Sequence, residues 1–341
     1  MNERVETVTG KARGKMSSLS PLHRRRAILT FISRSGTIIG LFAMILFFSI
    51  NAPGTFFSTA NALNILSQAS LTAIIAAGLT FTLVVGEFDL SIGYVASFVG
   101  LIVAGLMAKQ GLPVPLAIIL ALLVGAGIGL INGTLITKVR INAVIATIGV
   151  GTMLSGIGFS YSSFPIAMGI PRAFTEIALG RPLFGVPNPV WVMLVVLLVL
   201  WTILNKTDIG QKMQAVGSNI EAARLSGIRV DRIKLFAFAT AGFCAALTGI
   251  LLTSLLGSGT LGAADGYLLD AFAAAFLGSA TLRDGQFHIA GTLVGVLILA
   301  VGFNGLSIFG APTNFQPIFK GAILILAVGL STLARQYAMR A

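Results

Sequence analysis

The residues able to do chemistry in this chain are few, and they are set in apolar sequence. Gly86-Glu87-Phe88-Asp89-Leu90-Ser91-Ile92-Gly93 places two carboxylates and a hydroxyl between two long apolar runs. Polar groups in such a setting are costly in lipid and usually face the protein interior or water. Two readings of Glu87, Asp89 and Ser91 stay open on this ground. They are headgroup-level loop residues, or they belong to a broken helix in which Asp89 or Ser91 caps the next helix and polar backbone lines a cavity. Asp270, near the start of another apolar run, is a similar carboxylate. Asn132, Asn142 and Asn304 read as interhelical hydrogen-bond partners. His288, beside Arg283 and Asp284, reads as a solvated or capping residue. Cys244, the single cysteine, cannot form an intrachain disulfide and reads as a small packing residue.

Other chemistries have no residues to carry them. No His, Cys and carboxylate cluster has metal-ligand spacing, and no nucleophile motif occurs. Gly10-Lys11-Ala12-Arg13-Gly14-Lys15-Met16 is one residue short of a phosphate-binding loop, lacks the closing Ser or Thr, and follows no strand. No metal or cofactor is expected in this chain, and any ATPase it works with is a separate chain.

The elements that must position these residues are membrane spans. Hydrophobic residues make up 56% of the chain and mean hydropathy is +0.95, well above a soluble domain's balance. No charge occurs between Arg34 and Glu87, Lys109 and Lys138, or Arg140 and Arg172, and each run exceeds the roughly 20 apolar residues that cross a bilayer. The expected fold is an all-α polytopic membrane protein with ten spans, near 31–51, 63–85, 91–108, 115–137, 142–162, 190–204, 236–256, 268–282, 289–309 and 318–334, the eighth being short. A basic tail (1–30) precedes the transmembrane body (31–335), and a short tail (336–341) follows it. With both termini in the cytoplasm, only Lys109, Arg172, Arg181 and Lys320 of the 23 Lys and Arg residues fall outside, as the positive-inside rule favours. Orientation thus accounts for the net charge of +12, and nucleic acid is not an expected partner. The longest outer segment, Ser163 to Pro189, is a candidate surface for an external partner.

Asn205 to Lys234 is the largest inner loop. Six Lys or Arg and three acidic residues lie in it, in a chain where 10% of residues are charged. Ser218 as N-cap, Glu221 completing a capping box and Gly227 as a left-handed stop predict one short helix of roughly eight residues, about 12 Å long. Such a helix is marginal alone in water. It is either a connector or a docking element that presents Ala222 and Ala223 to a partner's groove. Elsewhere Gly125, Gly129 and Gly133 share one helix face, and Gly291 and Gly295 repeat that spacing, which predicts close helix packing.

Several of these stretches together resemble the permease subunits of bacterial ABC importers, in the ribose/xylose/arabinose-type sugar permease family, over nearly all of residues 40 to 335. The marks are Asn61-Ala62-Leu63-Asn64-Ile65-Leu66, Glu87-Phe88-Asp89-Leu90-Ser91-Ile92-Gly93 where relatives commonly have GIDLSVG, and Gly185-Val186-Pro187-Asn188-Pro189-Val190-Trp191. Further marks are Gly210, Ala215 to Asn219, Glu221-Ala222-Ala223 to Ser226-Gly227-Ile228, and Gly266-Tyr267-Leu268-Leu269-Asp270. Phe88 after Glu87, and Ser279 with Arg283-Asp284-Gly285 in place of a glycine-rich GGTSLxGG segment, depart from the pattern.

The resemblance implies a multi-pass protein of the bacterial inner membrane that is not itself an enzyme. A periplasmic binding protein would deliver a sugar or polyol, two permease subunits would form the pathway in the lipid bilayer, and two ATPase subunits, which bind the ATP, would dock beneath. Gly217, Ser218, Asn219, Glu221, Ala222, Ala223, Ser226 and Gly227 match the family's ATPase-coupling helix in position. Glu87, Asp89, Ser91 and Asp270 are the candidate translocation-path residues. The alternative is an ion-coupled secondary transporter of a small polar solute, with Glu87 or Asp89 as its ion site.

Overall fold

In lipid every backbone N–H and C=O must be bonded within its own segment, so apolar runs of this length become helices. The computed structural model describes residues 37–279, 285–312, 314–325 and 329. Its helices are α1 (Thr37–Asn51), α2 (Thr59–Val84), α3 (Ile92–Ala108), α4 (Val114–Thr137), α5 (Ala143–Tyr161), α6 (Arg172–Leu179) and α7 (Asn188–Lys206). Then follow α8 (Asp208–Ser218), α9 (Ile220–Leu225), α10 (Val230–Leu256), α11 (Gly266–Ser279), α12 (Ile289–Ile308) and α13 (Phe315–Ile325). Six of them, α2, α4, α5, α7, α10 and α12, are long and apolar enough to cross a membrane. The shorter apolar helices α1, α3, α11 and α13 stand where the other four spans are expected. The chain is an all-α multi-pass membrane protein. The expected basic tail (1–30), Arg283 and Asp284 and the end of the chain (336–341) lie outside the described residues.

The core forms around α10, which packs on α4, α2 and α3. The glycine face expected on α4 brings its backbone against that of α10. A Cβ at Gly125 would lie 2.7 Å from the Gly242 carbonyl oxygen, and one at Gly129 would lie 2.2 Å from that of Phe238. Cys244 packs against Gly78 of α2, buried as expected of a small packing residue. The second glycine pair works the same way, because α12 meets α11 through Gly291 on Gly278 and Gly295 on Ala274.

Buried polar side chains tie the helices to one another. Asn61 and Asn304 exchange hydrogen bonds of 3.0 and 2.7 Å between α2 and α12, and Asn132 donates to Ser91 at 2.8 Å. Asn142 differs from expectation: it caps α5, its side chain accepting from the Val144 N–H at 2.9 Å. Its non-helical backbone just before α5 (φ −55°, ψ 135°) makes capping the nearer bond. His288 caps α12 through Nδ1, which accepts from the Gly291 N–H.

The 163–189 segment carries α6, whose buried Phe174 anchors it. The Ser254 hydroxyl of α10 donates to the Phe174 carbonyl at 2.6 Å and accepts from the Ala178 N–H at 3.0 Å.

Candidate functional site

The 205–234 stretch holds two helices where one is expected. Thr207 caps α8, accepting from the Gly210 N–H at 3.3 Å, and Met213 and Val216 bury its inner face. Asn219 has extended backbone and closes α8. It also caps α9, its side chain accepting from the Ala222 N–H at 3.0 Å. The expected Ser218 cap and Ser218–Glu221 box are therefore corrected. Ser218 is still helical within α8 and its hydroxyl donates to the Gln214 carbonyl, while Glu221 pairs with Arg224 at 3.3 Å. The expected stop is present. Gly227 has φ +80°, its N–H donates to the Arg224 carbonyl, and the Ile228 N–H donates to that of Ala223, the paired bonds of a left-handed helix end. Between these ends α9 has six residues. Successive helical residues point about 100° apart, so the two alanines separate. Ala223 is 4% exposed within the chain's own core, whereas Glu221 and Ala222 are exposed and Leu225 is 89% exposed.

This helical pair sits directly on the α2–α3 turn. A Cβ at Gly217 would lie only 1.8 Å from the Val84 carbonyl oxygen, so backbone meets backbone there. Lys234 of α10 forms a largely buried ion pair with Glu87. Asp89 accepts from the Ser91 N–H at 2.9 Å and from the Ser91 hydroxyl at 2.6 Å. Ser91 in turn accepts from Asn132 of α4, and the Leu90 N–H donates to Thr147 of α5 at 3.1 Å. The turn is thereby bonded to α4, α5 and α10. Ser91 stands at the N-cap of α3 without a side-chain cap bond, so Asp89 orders the turn and neither residue caps the helix through its side chain. Phe88 projects from the turn and stacks on Phe272 of α11, with centroids 6.1 Å apart.

Asp89 is 1% exposed, and burial pushes its carboxyl up from 3.8 to about 6, with the Ser91 bonds pulling the other way. The folded protein then holds a proton that the unfolded chain has released, so this group's contribution to stability falls as pH rises from about 4 to about 6. Asp89→Asn should gain on the parent between about pH 4 and about pH 6, on the order of 1–2 kcal/mol, as read from unfolding curves in detergent. Parallel pH profiles for the two proteins would refute this.

Asp270 lies at the other end of the bundle. α2 runs toward the α8–α9 end at Val84, and Ser67 and Gln68 in its first half lie about 24 Å earlier along the helix. There a cavity of about 300 Å³ is lined by Ser67, Gln68, Tyr267, Asp270, Phe303 and Lys320. Lys320 Nζ is 2.8 and 2.9 Å from the two Asp270 oxygens and 5.0 Å from the centre of the Phe303 ring. The four expected path residues therefore divide, with Glu87, Asp89 and Ser91 at the α8–α9 end and Asp270 in the far cavity. Lys320 is the residue that sequence reasoning missed. In sequence it is one more charge near a span, and only the fold brings it to Asp270. Among the described residues, no three His, Cys, Asp or Glu side chains gather as a metal set.

Residues 61–328 match the family described as branched-chain amino acid transport system / permease component. The ribose import permease protein RbsC of Haemophilus influenzae is 39% identical over 302 residues, covering 87% of this chain and 93% of the relative. RbsC of Bacillus subtilis is 38% identical, covering 87% and 92%. The xylose transport system permease protein XylH of Escherichia coli is 32% identical, covering 88% and 91%. The match runs through the glycine-packed core, the α2–α3 turn and the α8–α9 pair alike, and the chain belongs to this family of transport-system permease components.

Proposed function

We propose that the chain is the membrane-spanning subunit of an ATP-binding-cassette importer for a sugar or polyol, in the bacterial inner membrane. The family description names amino acids, while relatives aligned over most of their length are named for ribose, xylose and arabinose. The cavity chemistry favours the second group. Asp270 and Lys320 neutralise each other, which suits an uncharged solute, and hydroxyls, an amide and aromatic rings surround them. In this reading α1 to α5, α7 and α10 to α13 supply ten spans, with both termini and α8–α9 cytoplasmic. The far end, where Phe164, Met168 and Phe184 are exposed, receives a periplasmic binding protein. A second permease subunit, a copy or a related chain, completes the pathway.

The observation that carries the proposal is the seating of α8–α9 on the α2–α3 turn. An ATPase bound to the exposed Glu221, Ala222 and Leu225 acts on the spans through Gly217 against Val84 and Lys234 against Glu87. Ser218, Asn219, Ser226 and Gly227 hold the helix ends, and Ala223 anchors α9 to the body. Asp270 lines the entry half of the path, while Glu87, Asp89 and Ser91 fix the turn at its exit. The test is uptake of labelled sugars into vesicles holding the chain with its ATPase and binding protein. ATP-dependent uptake is expected, and uptake by the lone chain driven by a proton or sodium gradient would replace this reading with secondary transport.

Removing one partner of the Asp270–Lys320 pair strands a buried charge, at about 3–5 kcal/mol. The double variant Asp270→Asn/Lys320→Gln avoids that penalty and keeps both positions polar. It should stay assembled and retain ATPase stimulation by loaded binding protein, while uptake falls roughly tenfold or more, the effect of losing a charged hydrogen-bonding pair. Unchanged uptake would remove this cavity from the path.

A further inference from the structure

Beside α9, a cleft of about 570 Å³ opens between the C-terminal end of α4 and the N-terminal end of α10. Lys138, Arg140, Arg224, Arg229, Arg232 and Lys234 line it, with Asp231 as the one carboxylate. Three of the six cations have acidic partners: Lys138 with Asp231 at 3.9 Å, Arg224 with Glu221, and Lys234 with Glu87. Arg140, Arg229 and Arg232 form no ion pair among the described residues. Arg140 also holds φ +64°, a left-handed conformation that costs a non-glycine residue energy. Arg229 is the N-cap of the 27-residue α10, and no side chain satisfies that helix end. The Val230 and Arg232 N–H groups there are bonded to the Ile228 and Arg229 carbonyls. It is thus the three unpaired guanidinium groups converging on one cleft, beside the positive end of a long helix, that fit the oxygens of a phosphate.

Exposed apolar side chains flank the cleft residue Arg140 along the chain. Val139, between Lys138 and Arg140, is exposed, and so is Ile145 in the first turn of α5. A free phosphate ion makes no use of such a flank, whereas an acyl chain does. We propose that this cleft binds the phosphate of an anionic membrane lipid, with the guanidinium groups and the α10 N-terminus on the headgroup and the chains along Val139 and Ile145. Basic pockets between spans at the inner surface are a recurrent lipid-binding arrangement. The cleft lies at the α8–α9 end of the bundle, opposite the Asp270–Lys320 cavity. It places a lipid where α9, α10 and the α4–α5 turn meet, next to the elements assigned to ATPase coupling.

The experiment uses the full chain in nanodiscs of equal phosphatidylglycerol and phosphatidylcholine, extracted in mild detergent, with the retained lipid counted by mass spectrometry. Phosphatidylglycerol should be enriched over phosphatidylcholine roughly tenfold or more, given three basic groups at the surface. The enrichment should fall severalfold in Arg140→Gln, whose side chain is exposed, and vanish in Arg140→Gln/Arg229→Gln/Arg232→Gln. It should persist in Lys212→Gln, an exposed cation of α8 outside the cleft. Equal retention of both lipids by the unmodified chain would overturn the proposal. So would displacement of phosphatidylglycerol by inorganic phosphate alone, which would assign the cleft to the free ion. A variant that keeps its phosphatidylglycerol but no longer captures the ATPase would assign the cleft to protein contact and overturn it equally.

Discussion

Gly129→Leu should yield no folded protein. At the crossing of α4 and α10 the two backbones touch, with a Cβ at Gly129 reaching within 2.2 Å of the Phe238 carbonyl oxygen and 2.9 Å of its carbon. Across the same seam, a Cβ at Gly242 would lie 2.3 Å from the Gly125 carbonyl oxygen. No flexible side chain can swing aside, so any added carbon must push one helix off the other. Overpacking costs about 1–3 kcal/mol where side chains can adjust, and here they cannot. Gly129→Ala should therefore lose about 3 kcal/mol or more, and the leucine variant should not survive detergent extraction as a single species on size-exclusion chromatography. Gly127, on the same helix, has open space where its Cβ would be, and Gly127→Ala should behave as the parent. A monodisperse Gly129→Leu protein would mean that α4 and α10 do not cross here.

That seam was legible in the sequence because the glycines repeat every four residues, and a helix puts such positions on one face. The stop at Gly227 was legible for a similar reason, since one residue type tolerates the backbone required there. The start of α9 was not. Ser218 and Asn219 are both good caps, and the choice between them depends on where α8 ends. Buried contacts of Met213 and Val216 set that end, and no local signal reports them. The inward face of α9 was hidden because six residues are too few to show a periodic pattern. Ion pairs were hidden by distance along the chain: Glu87 and Lys234 are 147 residues apart, Asp270 and Lys320 are 50. Sequence could mark the carboxylates as costly in lipid, but it could not name the cations that answer them. It likewise grouped Asp270 with Glu87 and Asp89 by chemistry, although the fold sets Asp270 beside the first half of α2 and the other two just past its end.

The separation of Ala222 from Ala223 makes the ATPase-docking proposal testable with two neighbouring substitutions that should fail for different reasons. Ala222 faces out beside Leu225, and nothing in the chain's own core depends on it. Ala222→Trp should therefore fold within about 0.5 kcal/mol of the parent, as surface substitutions do. A bulky ring at the centre of a docking face removes contacts of the kind worth at least about 2 kcal/mol, a loss of roughly 30-fold in ATPase capture. Uptake should fall with it, and loaded binding protein should no longer stimulate ATP hydrolysis. Ala223→Trp should also lose uptake, but by another route. Ala223 is buried against the body, so the ring should pry α9 away and lower the stability of the lone chain by about 1–3 kcal/mol or more. Thermal unfolding of each chain without its partners separates the two cases. If Ala222→Trp captures the ATPase and transports as the parent does, α9 is a connector, and the ATPase grips the permease elsewhere.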